Sequence, residues 1–197
     1  MKTLAYVTSI AAMSITLGSS ALGTEMYPKM YDASYIFRTP AGESQIRVIS
    51  DGKGRVREER TGSYRSFSVT DYPSKTIYTV SEAIRLIKKA PIQQCYEGPM
   101  DAEMAKKKNA KDLGVRNING LTCHGWNYKK DETETEIWLE ELADFVVLSK
   151  SKMQNGNIEM VLTSSSKATP SPELFTIPNN YKVVSQDTRN FMNVSRF

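Results

Sequence analysis

The sequence predicts an α+β domain built mainly of antiparallel sheet, and three observations carry that prediction. From Ser44 to Val80 the chain is a string of short extended pieces separated by Gly, Pro, Asp and Ser, the pattern of an antiparallel meander. Asp51-Gly52, Asn119-Gly120 and Asn155-Gly156 each stand between such pieces, and Asn-Gly suits the type I′ turn of a tight hairpin. No strand–helix–strand rhythm is present, so roughly ten strands with one or two helices are expected rather than a parallel sheet.

The chain opens with features of an export signal. Lys2 gives a short positive start, Leu4 to Leu22 is apolar or small, and Ala21-Leu22-Gly23 offers small residues at a cleavage site. Residues 1–23 are therefore expected to be removed, leaving 24–185 as one domain and 186–197 as a loose polar tail. Met30 to Arg38 reads as a first strand, rich in aromatic and β-branched residues, ended by Thr39-Pro40-Ala41-Gly42. In the meander that follows, Ile46 and Val48 share a face, as do Phe67 and Val69, while Ile49 and Tyr78 sit on the other. Strands apolar on both faces belong to a sheet that is covered by helices or curled round a cavity.

Ser81 to Ile92 fits two readings. Ile84, Ile87, Ala83 and Ala90 make a helical stripe that Ser81 could cap, and the same residues could run extended. Asp101 to Leu113 is the better helix, with Asp101 as N-cap and Gly114 just past its end. Its thin apolar face suits a surface helix or a lid. Strands then resume as Val115–Ile118 and Leu121–Tyr128 around Asn119-Gly120, Thr133–Leu139, and Phe145–Lys150 and Ile158–Ser164 around Asn155-Gly156. Pro170, Pro172 and Pro178 punctuate the last segment, which ends in Tyr181-Lys-Val-Val184.

With 26 Lys and Arg against 22 Asp and Glu, the charge balance gives no argument for a nucleic-acid partner. Two runs stand out: the basic Lys106-Lys107-Lys108 with Lys111, and the acidic Asp131 to Glu141. Runs of this size are usually solvated faces, and electrostatic contact with a protein or membrane is the sharper alternative. Cys95 and Cys123 are the only cysteines. In an exported chain they are expected to form one disulfide. A reactive Cys123 served by His124 is disfavoured because adjacent strand residues point to opposite faces.

Nothing in the sequence assembles a catalytic site. His124 is the only histidine and no Gly-x-Ser-x-Gly elbow accompanies it. No Gly-rich phosphate loop is present, and paired cysteines leave no His/Cys metal set. No enzyme activity, metal or cofactor is expected. From patterning alone, a hollow sheet holding an apolar ligand and a plainly filled core remain equally open.

Several stretches resemble a known family in their order along the chain. They are Gly54-Arg-Val-Arg-Glu-Glu, Asp71-Tyr-Pro-Ser-Lys-Thr-Ile-Tyr-Thr-Val, Leu113-Gly-Val-Arg-Asn-Ile-Asn-Gly-Leu-Thr-Cys-His-Gly-Trp, Glu136-Ile-Trp-Leu-Glu and Leu174-Phe-Thr-Ile-Pro-Asn-Asn-Tyr-Lys-Val. Together they resemble the periplasmic lipoprotein-carrier (LolA/LolB-like) superfamily, and more closely the uncharacterised outer-membrane lipoprotein-sorting-like domains. The resemblance implies an open, strongly curved antiparallel sheet, a half-barrel closed by helices, whose concave side takes acyl chains. It contributes no catalytic residue. The expectation is then a periplasmic carrier of a lipid, a lipoprotein acyl chain or another apolar ligand. Ile46, Val48, Phe67, Val69, Ile77, Ile137 and Leu139 are expected to wall its pocket. The alternative is a protein-interaction or envelope-stress sensor module.

Overall fold

A computed structural model of the chain describes residues 27–61, 66–92, 96–98 and 100–185. The expected signal segment, the tail and Cys95 lie outside them. The first half is a run of hairpins: β1 (Tyr31–Thr39), β2 (Gly42–Ser50), β3 (Arg55–Thr61), β4 (Ser66–Asp71), β5 (Thr76–Ser81) and β6 (Leu86–Pro91). Local chemistry sets the turns. Between β2 and β3, Asp51 Oδ1 accepts from the amides of Lys53 and Arg55 at 2.7 and 2.9 Å, which closes a side-chain-built turn. Then come α1 (Ala102–Lys107), β7 (Lys111–Ile118), β8 (Leu121–Lys130), β9 (Thr133–Glu140), β10 (Val146–Met153) and β11 (Gly156–Ser166). Asn119 and Gly120 both have positive φ, 53° and 83°, as a type I′ turn requires. A 3-10 turn, Pro172–Phe175, and β12 (Lys182–Ser185) complete the described chain.

All twelve strands join one open sheet in the order β12-β6-β5-β4-β3-β2-β1-β11-β10-β9-β8-β7. Two hairpin stacks, β1–β6 and β7–β11, meet at the β1–β11 ladder in the middle. Every ladder is antiparallel except that of β12 with β6. The mainly antiparallel, curved open sheet expected from the sequence is the one observed. Residues 92–110 must carry the chain from β6 near one edge to β7 at the other. At about 4.8 Å per strand spacing a flat sheet would demand roughly 48 Å, close to the full reach of that segment once its helix is allowed for. Curvature shortens the path.

The structure settles the ambiguous stretch as β6, with Glu82–Arg85 as a turn in which Arg85 has φ 50°. Alpha1 is shorter than the helix expected over Asp101 to Leu113. Asp101 does cap it, accepting from Met104 N at 2.8 Å. The helix ends at Lys107 because Asn109 takes the left-handed conformation, φ 50°, and the chain becomes β7 from Lys111. Lys182–Ser185, at the end of the closing segment, forms a parallel edge strand, which periodicity did not reveal.

Residues directly opposite in a ladder share a face, so the registers divide the sheet's side chains. On one face run Phe37, Met160, Ser149, Ile137 and Trp126, each opposite the next. Alpha1 packs on this side. On the other face Tyr78, Val69, Arg57 and Ile49 form a row, and Ile87, Val80, Phe67 and Glu59 another. There Phe175 of the returning segment is buried against Ile49, Phe67, Val69, Val80 and Ile87. The sheet is covered on both sides, as strands apolar on both faces require.

Candidate functional site

The α1 face is largely apolar over β1, β11, β9 and β8, carries Ser149 on β10 and a hydrogen-bonded pair of hydroxyls, Thr135 on β9 and Ser151 on β10, at 3.0 Å, and turns polar over β3 and β4. Tyr35 stands opposite Ile46 on one side and Leu162 on the other, and all three are buried. Further along, Leu139, Trp126 and Tyr128 are buried too. In the other direction the row from Ile46 continues to Arg60 and Ser66, and Val48 faces Glu58 and Ser68. The result is an aromatic and aliphatic strip with a hydroxyl- and charge-bearing margin.

The cover over this strip is slight. Alpha1 buries one residue, Ala105, against Trp126 and Leu139 with Met100, Ala110 and Ile137 around them. Lys108 follows the helix with its ammonium 5.8 Å from the Tyr128 ring centre and 3.6 Å from Glu97. Burial pushes that ammonium's pKa down, against the pull of Glu97 upward. Two buried polar atoms lack a hydrogen-bond partner among the described residues, Trp126 Nε1 and Glu97 Oε1. Both lie where the crossover meets the sheet. The crossover leaves β6 past Tyr96, which lies 6.2 Å from Tyr72 ring to ring and whose hydroxyl burial pushes up to about 12.

At the start of α1 the surface opens into a cleft of about 240 Å³ lined by Met100, Asp101, His124, Trp126, Leu139 and Glu140 among others. That is below the roughly 300–1,000 Å³ of small-molecule pockets, so beneath α1 the face is filled by Trp126 and Leu139. His124 stacks on Trp126 at 4.4 Å and 6°, and its Nε2 is 2.8 Å from Asp112 Oδ1. The Gly114 amide, then His124, hold the Asp112 carboxyl below its usual range. Glu140 behaves similarly: burial raises its pKa, but donation from the amides of Ala143 and Leu142 and from Lys167 Nζ, at 2.7, 3.1 and 3.0 Å, brings it down overall. These contacts hold the β9–β10 turn. Among the described residues no group of three or more His, Cys, Asp or Glu is placed to hold a metal.

Of the seven residues expected to line one pocket, Ile46, Val48, Ile77, Ile137 and Leu139 lie on the α1 face. Phe67 and Val69 do not. They are on the opposite face beneath Phe175, because β3 places Arg60 and Glu58, rather than apolar residues, between Ile46–Val48 and the next strand. The sequence reading omitted Tyr35, Phe37, Trp126 and Tyr128, whose alternation in β1 and β8 was the available signal. Cys123 is fully buried on the face away from His124, its thiol donating to Leu121 O at 3.4 Å. Burial pushes that thiol's pKa up. Beside it, Trp138 covers Gly125 so closely that a Cβ there would meet the ring at 2.6 Å. Among the described residues no helix is long and apolar enough to cross a membrane.

No family model matches the chain, and no curated protein does. Solved structures do. MucB superposes with a TM-score of 0.56 and 12% identity over 81% of this chain and 61% of MucB. The Pseudomonas aeruginosa MucA/MucB complex gives 0.53 and 14% over 79% of this chain and 58% of that one. The chain thus spans about three fifths of the MucB length. A putative outer membrane lipoprotein-sorting protein domain from Vibrio parahaemolyticus superposes at 0.35 with 8% identity, over 75% and 89% of the two chains. The likeness to MucB shows the fold.

Proposed function

We propose that this chain is an exported, non-enzymatic binding protein that carries an apolar ligand, a lipid or a lipoprotein acyl chain, on the α1 face of its sheet in the periplasm. One observation carries the reading: the apolar side chains of the α1 face, from Tyr35 and Leu162 to Trp126 and Tyr128, are closed over β8 and β9 by a six-residue helix with a single buried residue. Lifting α1 would uncover Trp126, Ile137 and Leu139 while leaving the sheet's ladders intact, and an acyl chain would replace the contacts of Ala105. An oxidising compartment also supports pairing of Cys95 with Cys123. The test is native mass spectrometry with lipid extraction of protein taken from its own compartment, together with titration of a fluorescent fatty-acyl probe. A co-purifying ligand or saturable uptake is expected. Absence of both sinks the reading.

A second reading is a protein-interaction module without a small-molecule ligand. It is favoured by the fold's likeness to MucB, which is seen in complex with MucA. The acidic Asp131–Glu141 region or the Lys106–Lys111 lysines would make the contact. It ranks second because many of these charges are engaged within the chain: Lys107 with Glu103, Lys108 with Glu97, Glu136 with Arg116 and Glu140 with Lys167. Pull-down at low and high salt separates the readings, since only the electrostatic contact weakens as salt rises.

A further inference from the structure

Six large apolar side chains are exposed among the described residues, and three of them share one corner: Ile84, Val183 and Val184, at 68%, 56% and 42%. Ile84 is at the tip of the β5–β6 turn. Lys182 N donates to Arg85 O at 3.0 Å, which starts β12 beside that tip. The parallel register then sets Val183 opposite Ile87 and Val184 opposite Lys88. Val183 therefore projects from one face of the sheet edge, and Lys182 and Val184 from the other.

Four cations surround these side chains: Arg85, Lys88, Lys89 and Lys182. Among the described residues none of them is in an ion pair, whereas Arg38, Arg47, Arg55, Arg57 and Arg60 all are. Glu82 is the acid nearest in sequence in the turn. The Arg85 guanidinium and the Lys89 ammonium lie over the Tyr181 and Tyr78 rings, 5.7 and 5.8 Å from the ring centres, contacts that position the two cations without neutralising them, and all four cationic residues are exposed. An unpaired cationic set around protruding apolar side chains matches an anionic bilayer, whose headgroups take the charges and whose interfacial layer takes the side chains. The ridge is formed by a turn tip and a strand edge, and Lys182 on the edge strand discourages addition of another strand. That disfavours a protein occupant.

We propose that this corner docks the protein on the surface of an anionic membrane, with Ile84, Val183 and Val184 entering the interfacial layer. The inference does not depend on the carrier reading. The test is co-sedimentation of the exported chain with phosphatidylglycerol/phosphatidylcholine vesicles and with phosphatidylcholine vesicles alone, at low and high salt. Binding is expected on the anionic vesicles only, and it should fall as salt rises. The Lys88→Gln/Lys89→Gln pair should weaken it about 25-fold, at about fivefold per lysine. Ile84→Ser should weaken it roughly fivefold with charge unchanged. Circular dichroism checks that each variant is folded. No binding to anionic vesicles, or variants that bind like the parent, would overturn the proposal. So would equally tight binding to polyglutamate that Ile84→Ser leaves unchanged, which would assign the corner to an acidic protein. Acyl-probe uptake in vesicle-free solution should be the same in all variants. Its loss in the parent alongside intact vesicle binding would sink the carrier reading and leave this one standing.

Discussion

Arg57 lies flat on Phe67, its guanidinium carbon 3.5 Å from the ring centre, while its Nη1 donates to Leu174 O at 2.8 Å. One side chain thus joins β3, β4 and the segment that returns across the sheet. Glu59 fixes it from the side at 2.6 Å. A partly desolvated cation–π contact is worth up to about 2 kcal/mol. Arg57→Ala is therefore expected to lower stability by about 2 kcal/mol in chemical denaturation and to speed proteolysis between residues 167 and 181. Unchanged cleavage there would show that Phe175 holds the segment without Arg57.

Gly125 leaves no room for a methyl group. Its Cβ would fall within 2.6 Å of three Trp138 ring atoms, and Trp138 is itself held by Arg116 over its ring at 3.7 Å and by Glu136. Gly125→Ala should cost roughly 1–3 kcal/mol by overpacking and alter the near-ultraviolet circular dichroism of the tryptophans. A variant as stable as the parent would mean that the ring can shift.

Glu140 links stability to pH. Its carboxyl is lower in the folded chain than in the unfolded one, so its contribution is present above the ordinary glutamate value of about 4.3. That contribution is lost as pH falls through the folded value. Glu140→Gln should flatten this acid limb in unfolding measured from pH 7 to pH 2. An identical pH profile would show that other carboxylates, Asp51 among them, set it.

Cys123 is buried enough to resist native labelling whether or not it is paired. The decisive measurement of the Cys95–Cys123 pairing is alkylation in denaturant without reductant, on protein from its own compartment. No reactive thiol is expected; two would refute the pairing.

Ala105→Arg tests the cover. Its side chain cannot fit against Trp126 and Leu139, so α1 should lift while the sheet's hydrogen-bonded ladders remain. Quenching of Trp126 by acrylamide and the rate of acyl-probe uptake should both rise. Increased quenching with unchanged uptake would separate the helix from ligand entry.

The sequence made the hairpins legible because turn chemistry is local. Asn119-Gly120 needs only its own dihedrals, and Asp101 needs only the amide of Met104. The alternation of Thr135, Ile137 and Leu139 against Trp138 was equally readable, since a strand's two faces are set by its own pleat. Cross-strand register was not readable. Phe67 and Val69 look equivalent to Ile46 and Val48 until Arg60 and Glu58 fix which side each strand turns toward its neighbour. The parallel β12 and the short α1 were hidden for the same reason: Val183 finds its place only beside Ile87, and Asn109 ended a helix that propensity would have continued.

The meeting of β1 and β11 has a consequence for assembly. Apart from that ladder and the one between β12 and β6, every ladder joins strands that are neighbours in sequence. Each stack can therefore zip from hairpins at low loop-closure entropy, and the central seam closes afterwards. A chain severed within residues 92–110 would yield two polypeptides that retain this seam, a natural split point for complementation between separately made halves.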